Sequence, residues 1–201
     1  MEFGEVLKWR RDVRHFSTES VSEELVAELI TAAQYAPSVG FSQPWRFVRV
    51  DSAEARGKIR ASFEAANLAA GERYDTAGQS EYFRLKLAGL DRAPVQLAVF
   101  CDEDTGFGRG LGRQTMPECM EYSVVMAIYT LWLAAASLGL GVGWVSILNV
   151  EDVRQALDPP PSWRLIAYLC VGHPEQSSLE PELLREGWET RDPRASHVLV
   201  R

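Results

Sequence analysis

Three arginines and a carboxylate crowd together near the start of the chain: Arg10, Arg11, Asp12 and Arg14. Arg10 and Arg14 stand four apart and Arg11 and Arg14 three apart, spacings that a helical turn brings to one face. Like charges so placed repel. A bound phosphate would replace that repulsion with charge-assisted hydrogen bonds, because arginine's planar fork matches phosphate oxygens. Asp12 has two readings. It is either the neutralising partner of a solvated basic face or, beside a bound ligand, a group able to take and return protons.

Two further segments can meet a ligand. Residues 36–45 carry Pro37, Ser38, Gly40, Gln43 and Trp45, a helix end followed by small polar residues and then a strand. Ser38 and Gln43 can donate hydrogen bonds there, although a plain connection explains the prolines and glycine equally well. Gly139, Gly141 and Gly143 precede Trp144, Val145 and Ser146. A dinucleotide-binding GxGxxG needs glycine where Trp144 stands, so this run carries no such site, and residues 106–112 fail in the same way. Glycines that let backbone lie close to a flat ligand remain an open use of the run. Ser146, in an apolar strand, needs a partner in backbone or ligand.

Other chemistries find no support. Cys101, Cys119 and Cys170 are scattered, as are the three histidines, so no metal site is expected. No nucleophile elbow, phosphate-binding P-loop or HExxH motif is present.

The 201 residues carry 21 basic and 28 acidic side chains, a net charge of −7. That balance leaves no general footprint for nucleic acid or an anionic membrane, so any bound anion must be held locally. The first residues lack a basic stretch leading into an apolar core, so no secretory signal is expected. The longest apolar stretch, 124–140, is broken by Thr130 and Ser137 and reads as a buried helix. Unpaired cysteines fit a reduced, cytoplasmic setting.

The elements that must position these residues follow from periodicity. Helices are expected over 4–11, over 20–36 (Ser20 and Glu23 as a capping box, Leu25, Leu29 and Ala33 as a stripe), over 53–70 and over 122–138. The 122–138 helix is apolar almost all round, so it should be central or lie in an interface. Strands are expected over 45–50, 95–100, 141–148 and 164–171, with a further edge strand at 197–200. Residues 71–90 are polar and aromatic, helical in their second half. No linker divides the chain, so one domain of the α+β class is expected.

The motifs RRDVRHF (10–16), QYAPSVGFSQPW (34–45), LGR (111–113) followed by EYSVVMAIYTLWLAA (121–135), GVGWVSIL (141–148) and EPELLREGW (180–188) occur in that order. Together they resemble the flavin-dependent nitroreductase superfamily over nearly the whole chain. The resemblance implies a nitroreductase-like fold, a central mixed or antiparallel sheet flanked by helices, and a homodimer with two FMN sites at its interface. It implies flavin contacts from Arg10, Arg11, Asp12, Val13, Arg14, Pro37, Ser38, Gly40, Gln43, Leu111, Gly143, Trp144, Val145 and Ser146, with Arg191 reaching toward the phosphate. Residues 71–115 would form a cover and 181–201 a C-terminal extension.

Two positions resemble a particular subgroup. Relatives usually carry serine where this chain has Asp12, and the subgroup shares Ser146. Members of that subgroup consume reduced FMN instead of recycling it: with molecular oxygen as co-substrate, the ring system is fragmented to a benzimidazole and erythrose 4-phosphate. Asp12 and Ser146 would then be catalytic, and a separate NAD(P)H-dependent flavin reductase would supply the reduced FMN. Two other expectations stand beside this one: an ordinary NAD(P)H-dependent nitro- or quinone reductase, and a flavin carrier.

Overall fold

A computed structural model describes residues 1–201. Its centre is a four-stranded antiparallel sheet in the order β1-β2-β4-β3, from Trp45–Arg49, Val95–Asp102, Trp163–Gly172 and Gly141–Val145. The side-chain period of two divides the inner strands between the faces. From β2, Val95, Leu97, Val99 and Cys101 enter one core with Ala167, Leu169 and Val171 of β4. Ala98 and Phe100 enter the other with Tyr168 and Cys170. Buried on both faces, β2 reads as a nearly continuous apolar run interrupted by the buried Gln96.

The first face is covered by helices α2 (Glu23–Ala33) and α5 (Cys119–Ser137). The second is covered by α3 (Ala53–Gly71) and α6 (Val150–Leu157) with residues 88–93. The first helix, α1, spans Phe3–Trp9, and α4 spans Thr76–Arg84. A one-turn helix, α7, follows at Glu182–Arg185.

Helix starts are chemical. Ser22, Ser52, Asp75 and Asn149 each accept a backbone amide of the first turn. The cap of α2 is Ser22 and not Ser20, because the Ser22 hydroxyl is the one that reaches the Leu25 amide. α6 has no counterpart among the expected elements, although Val153, Ala156 and Leu157 mark an inward face behind the Asn149 cap.

Three other expectations change. Residues 71–115 are not one covering piece, since β2 within them is the buried strand beside β1 and β4. Within 71–90 the helix occupies the middle (Thr76–Arg84) and ends where the chain turns to meet the sheet. Residues 197–200 form no strand in this chain, and Val198, Leu199 and Val200 are exposed.

α5 is both core and surface. Met120, Val124, Ala127, Ile128, Leu131 and Ala135 bury one face at helical spacing. Tyr122, Val125, Met126 and Tyr129 form a second apolar stripe that is 39–54% exposed.

Candidate active site

The arginine segment leaves the helix before its arginines begin. α1 ends at Trp9, and Arg10 is already extended (φ −62°, ψ 118°). The expected helical turn over residues 10–14 is therefore absent. Val13 instead donates its amide to the carbonyl of Val142 at 3.0 Å, and Asp12 lies in a parallel bridge with Val142. The segment is thus added beside β3, the one parallel neighbour of an otherwise antiparallel sheet. Arg10 turns toward Tyr129 and Trp132 of α5, whereas Asp12 and Arg14 face each other.

Glycine permits the close approach. A Cβ at Gly143 would stand 2.1 Å from the Val13 carbonyl oxygen, and one at Gly141 would stand 2.7 Å from the Val13 side chain. The glycines near residue 143 thus serve backbone contact with the arginine segment.

The arginines part company. Arg14 donates through Nε to Asp12 Oδ2 at 2.9 Å and through Nη1 to the Lys86 carbonyl at 3.2 Å. Arg11 donates to the Leu179 carbonyl through Nε at 3.0 Å and through Nη2. Burial, then Arg10 and Arg191, hold the Arg11 guanidinium below its ordinary pKa. Arg10 lies 5.2 Å above the Trp132 ring and 5.9 Å from that of Tyr129, both on α5. Its Nε is buried with no hydrogen-bond partner, so Arg10 has donor capacity to spare.

Asp12 is fixed at both oxygens. Oδ1 accepts the Trp144 amide at 3.0 Å and Oδ2 accepts Arg14. Its side chain stays about one-third exposed, at 34%. A carboxylate so oriented and still reachable from solvent can exchange protons with a ligand laid along β3. Ser146 lies one residue beyond β3 and is exposed. Its hydroxyl therefore needs no partner within the chain. Arg191 is exposed in the C-terminal segment, near Arg11.

That segment binds both the arginines and α4. Glu182 meets His15 at 3.0 Å, close to the Arg11 contact with Leu179. Arg84 of α4 donates to the Glu186 carbonyl at 2.9 Å, and Trp188 packs edge-on against Tyr74 and Tyr82. Lys86 and Leu179 escaped the sequence reading because they act through carbonyls; Glu182 and Trp188 lie within the EPELLREGW motif, but nothing in it pointed to His15 or α4.

The remaining candidates gather elsewhere. Ser38 accepts the Gln43 amide at 3.0 Å, and the Val39 amide donates to Ser123 of α5 at 3.0 Å. A Cβ at Gly40 would stand 2.8 Å from the Leu111 carbonyl, so the 37–43 and 107–112 loops interlock. Gly40, Phe41 and Gln43 all hold positive φ (57°, 59° and 44°), which glycine adopts freely but which in Phe41 and Gln43 is strain that tertiary contacts must maintain. These loops bound a cleft of about 690 Å³ lined by Gly40, Phe41, residues 107–112, Gln114 and Thr115. The polar cleft against Asp12 and Arg14 is smaller, about 220 Å³.

Within one chain the candidates therefore form two half-sites: residues 10–14 with Gly143, Trp144 and Val145, and Pro37, Ser38, Gly40 and Gln43 with Leu111. Ser123 marks the second on α5 and Trp132, whose Nε1 donates to the Arg11 carbonyl, marks the first. Nine residues at 1.5 Å rise place them about 14 Å apart along the helix.

Known proteins match this architecture. The sequence profile described as the nitroreductase family matches residues 7–173. A 5,6-dimethylbenzimidazole synthase of Rhodospirillum rubrum is 55% identical over 196 residues, covering 98% of this chain and 92% of that protein. One of Rhodobacter capsulatus is 47% identical, covering 94% and 91%. The crystal structure of oxidized iodotyrosine deiodinase bound to FMN and 3-iodo-L-tyrosine superposes with a TM-score of 0.74 at 25% identity, covering 100% of this chain and 98% of that one.

Proposed function

This chain belongs to the nitroreductase family, and within it we propose that the protein is a 5,6-dimethylbenzimidazole synthase whose substrate is reduced FMN. The observation that carries the reading is Asp12, a partly exposed carboxylate held at both oxygens beside β3. It is supported by the two synthases to which nearly the whole chain is similar. In this reaction reduced FMN and molecular oxygen yield 5,6-dimethylbenzimidazole and erythrose 4-phosphate, while the flavin's remaining pyrimidine-ring atoms leave as a separate oxidised fragment.

The chain's residues divide the work. Asp12 takes a proton from the ribityl arm and returns it elsewhere, a role worth about 10²- to 10⁴-fold in rate. Arg10, with its unpartnered buried Nε, is the arginine best suited to the phosphate. Arg191 adds positive charge from the C-terminal segment. Ser146, exposed at the end of β3, offers its hydroxyl to the ring edge. Residues 71–92, with α4, cover the site and keep water from the reacting carbons.

The complete site requires two chains. The exposed stripe of Tyr122, Val125, Met126 and Tyr129 runs along α5 between the half-sites. Antiparallel packing of two α5 helices about a twofold axis buries both stripes. It also brings residues 10–14 of one protomer toward residues 37–43 and 107–112 of its partner, giving a homodimer with two flavin sites. A separate NAD(P)H-dependent flavin reductase supplies reduced FMN, and the cytoplasm, where Cys101, Cys119 and Cys170 stay reduced, is the setting.

The test supplies FMN, oxygen, NADH and an independent flavin reductase, and seeks 5,6-dimethylbenzimidazole by mass spectrometry. Its formation in proportion to protein supports the synthase. NADPH-driven reduction of a nitroaromatic with no benzimidazole replaces it with an ordinary reductase. FMN recovered intact with neither activity leaves a carrier.

A further inference from the structure

The geometry points to Arg14 as a positioning residue that orients Asp12 and ties it to the segment behind α4, and not as a ligand of the flavin phosphate; this rests on the proposed use of Asp12. Arg14 is well buried, its side chain 13% exposed. Two of its three nitrogens are engaged within the chain, Nε by Asp12 Oδ2 and Nη1 by the Lys86 carbonyl. A phosphate is best gripped through a fork of paired donors; Nε and Nη1 of Arg14 are already committed to protein, which leaves Nη2 as its one nitrogen without a protein acceptor.

The segment that Arg14 grips is itself immobilised. Lys86 pairs with Asp91 at 3.0 Å. A Cβ at Gly89 would stand 2.3 Å from the Phe16 ring and 3.3 Å from the Arg14 carbonyl, so residues 86–91 lie directly on residues 14–16. The same segment continues from the helix Thr76–Arg84. The Asp12 carboxylate is therefore aimed by two independent holds: the Trp144 amide from β3 and a guanidinium whose far side is set by residue 86. Displacing the covering segment withdraws the acceptor of Nη1, which frees Arg14 and with it Oδ2 of Asp12.

Arginine is needed because one side chain must donate in two directions. Lysine restores the charge but presents a point-like ammonium with no planar fork. Glutamine restores neither. The contrast with Arg10 supplies an internal standard, since Arg10 has a buried donor unspent.

The experiment uses full-length protein with wild type, Arg10→Gln, Arg14→Lys, Arg14→Gln, Asp12→Asn and the Asp12→Asn/Arg14→Gln pair. FMN and riboflavin affinities are measured by flavin fluorescence, and benzimidazole is measured in a single turnover of prebound reduced FMN. Arg14→Gln should keep the FMN-to-riboflavin affinity ratio within about threefold, whereas Arg10→Gln should lower it by about tenfold or more, the scale of one charge-assisted contact. Arg14→Gln should slow the single turnover by about a hundredfold, with Arg14→Lys recovering part of that loss. In the Asp12→Asn background Arg14→Gln should add less than about threefold, because the two residues act as a unit.

Collapse of the affinity ratio in Arg14→Gln would make Arg14 a phosphate ligand and overturn the inference. Losses that multiply in the pair would overturn it too. Should Arg14→Gln not fold, as read by thermal melting, Arg14→Lys carries the same measurements: its ratio must hold while its rate falls. Wild-type protein that makes no benzimidazole removes the proposed function instead, and the affinity ratio still decides whether Arg14 touches phosphate.

Discussion

The Asp12 carboxylate accepts the Trp144 backbone amide at 3.0 Å through one oxygen and Arg14 Nε at 2.9 Å through the other. Asparagine at this position keeps the first contact and loses the charge of the second. Asp12→Asn should bind FMN within about threefold of wild type and lose about 10²- to 10⁴-fold in the single-turnover rate. Quantifying 5,6-dimethylbenzimidazole after one turnover checks this, and near-normal yield removes Asp12 from catalysis. Ser146→Ala should change the oxidation trace of bound reduced FMN in stopped flow; an unaltered trace and yield would remove the hydroxyl from that role.

Gly143 has no room for a side chain, because its Cβ would stand 2.1 Å from the Val13 carbonyl oxygen. The arginine segment must lift from β3 in Gly143→Ala. The expected cost is about 1–3 kcal/mol, or roughly 2–10 °C in Tm, with FMN affinity falling in step. Gly4→Ala, where nothing lies within 4 Å, is the control and should melt like wild type. Equal melting of the two variants would refute the close approach.

The proposed dimer rests on the exposed stripe of α5. Val125→Asp with Met126→Asp should halve the mass in light scattering and weaken FMN binding by about tenfold or more, since each site loses the loops of its partner. A monomeric variant that binds FMN as tightly as wild type would show that one chain suffices.

Alkaline stability has a defined window. Burial pushes the thiols of Cys101 and Cys170 up to about 12 from an ordinary 9.0, and burial raises Tyr168 as well. The folded chain holds these protons more tightly than the unfolded one. The stability they contribute is whole below about pH 9 and is lost as pH rises toward 12. Urea midpoints should stay level from about pH 7 to 8.5 and fall from about pH 9 to 11, with a shallower fall in Cys170→Ala. An identical fall in that variant would assign the loss to other groups.

Much of this was legible along the chain. Alternation marked β1 and a nearly continuous apolar run marked β2, and the apolar wrap of residues 122–138 pointed to a helix that is central or in an interface; α5 is buried along one face and carries an exposed apolar stripe along another. The arginine cluster was found for a reason that its geometry does not share. Spacing suggested a helical turn, yet Val13 pairs with Val142 and the three side chains go to three different partners. No local pattern announces that pairing, because it is made by backbone atoms 129 positions away (142 − 13). α6 was missed although Asn149 caps it, since eight residues give barely two turns of periodicity. Lys86 and Leu179 carry no signal at all, because any residue offers the same carbonyl.

The contact between Arg11 and Leu179 spans 168 positions of sequence. Residue 179 is made well after residue 11, so this fastening of the arginine segment waits until residue 179 has emerged. Contacts of such separation form late, since closing the loop between them costs entropy before it is repaid. An emerging chain can thus assemble all four strands of its sheet while Arg11 is still unlatched from Leu179.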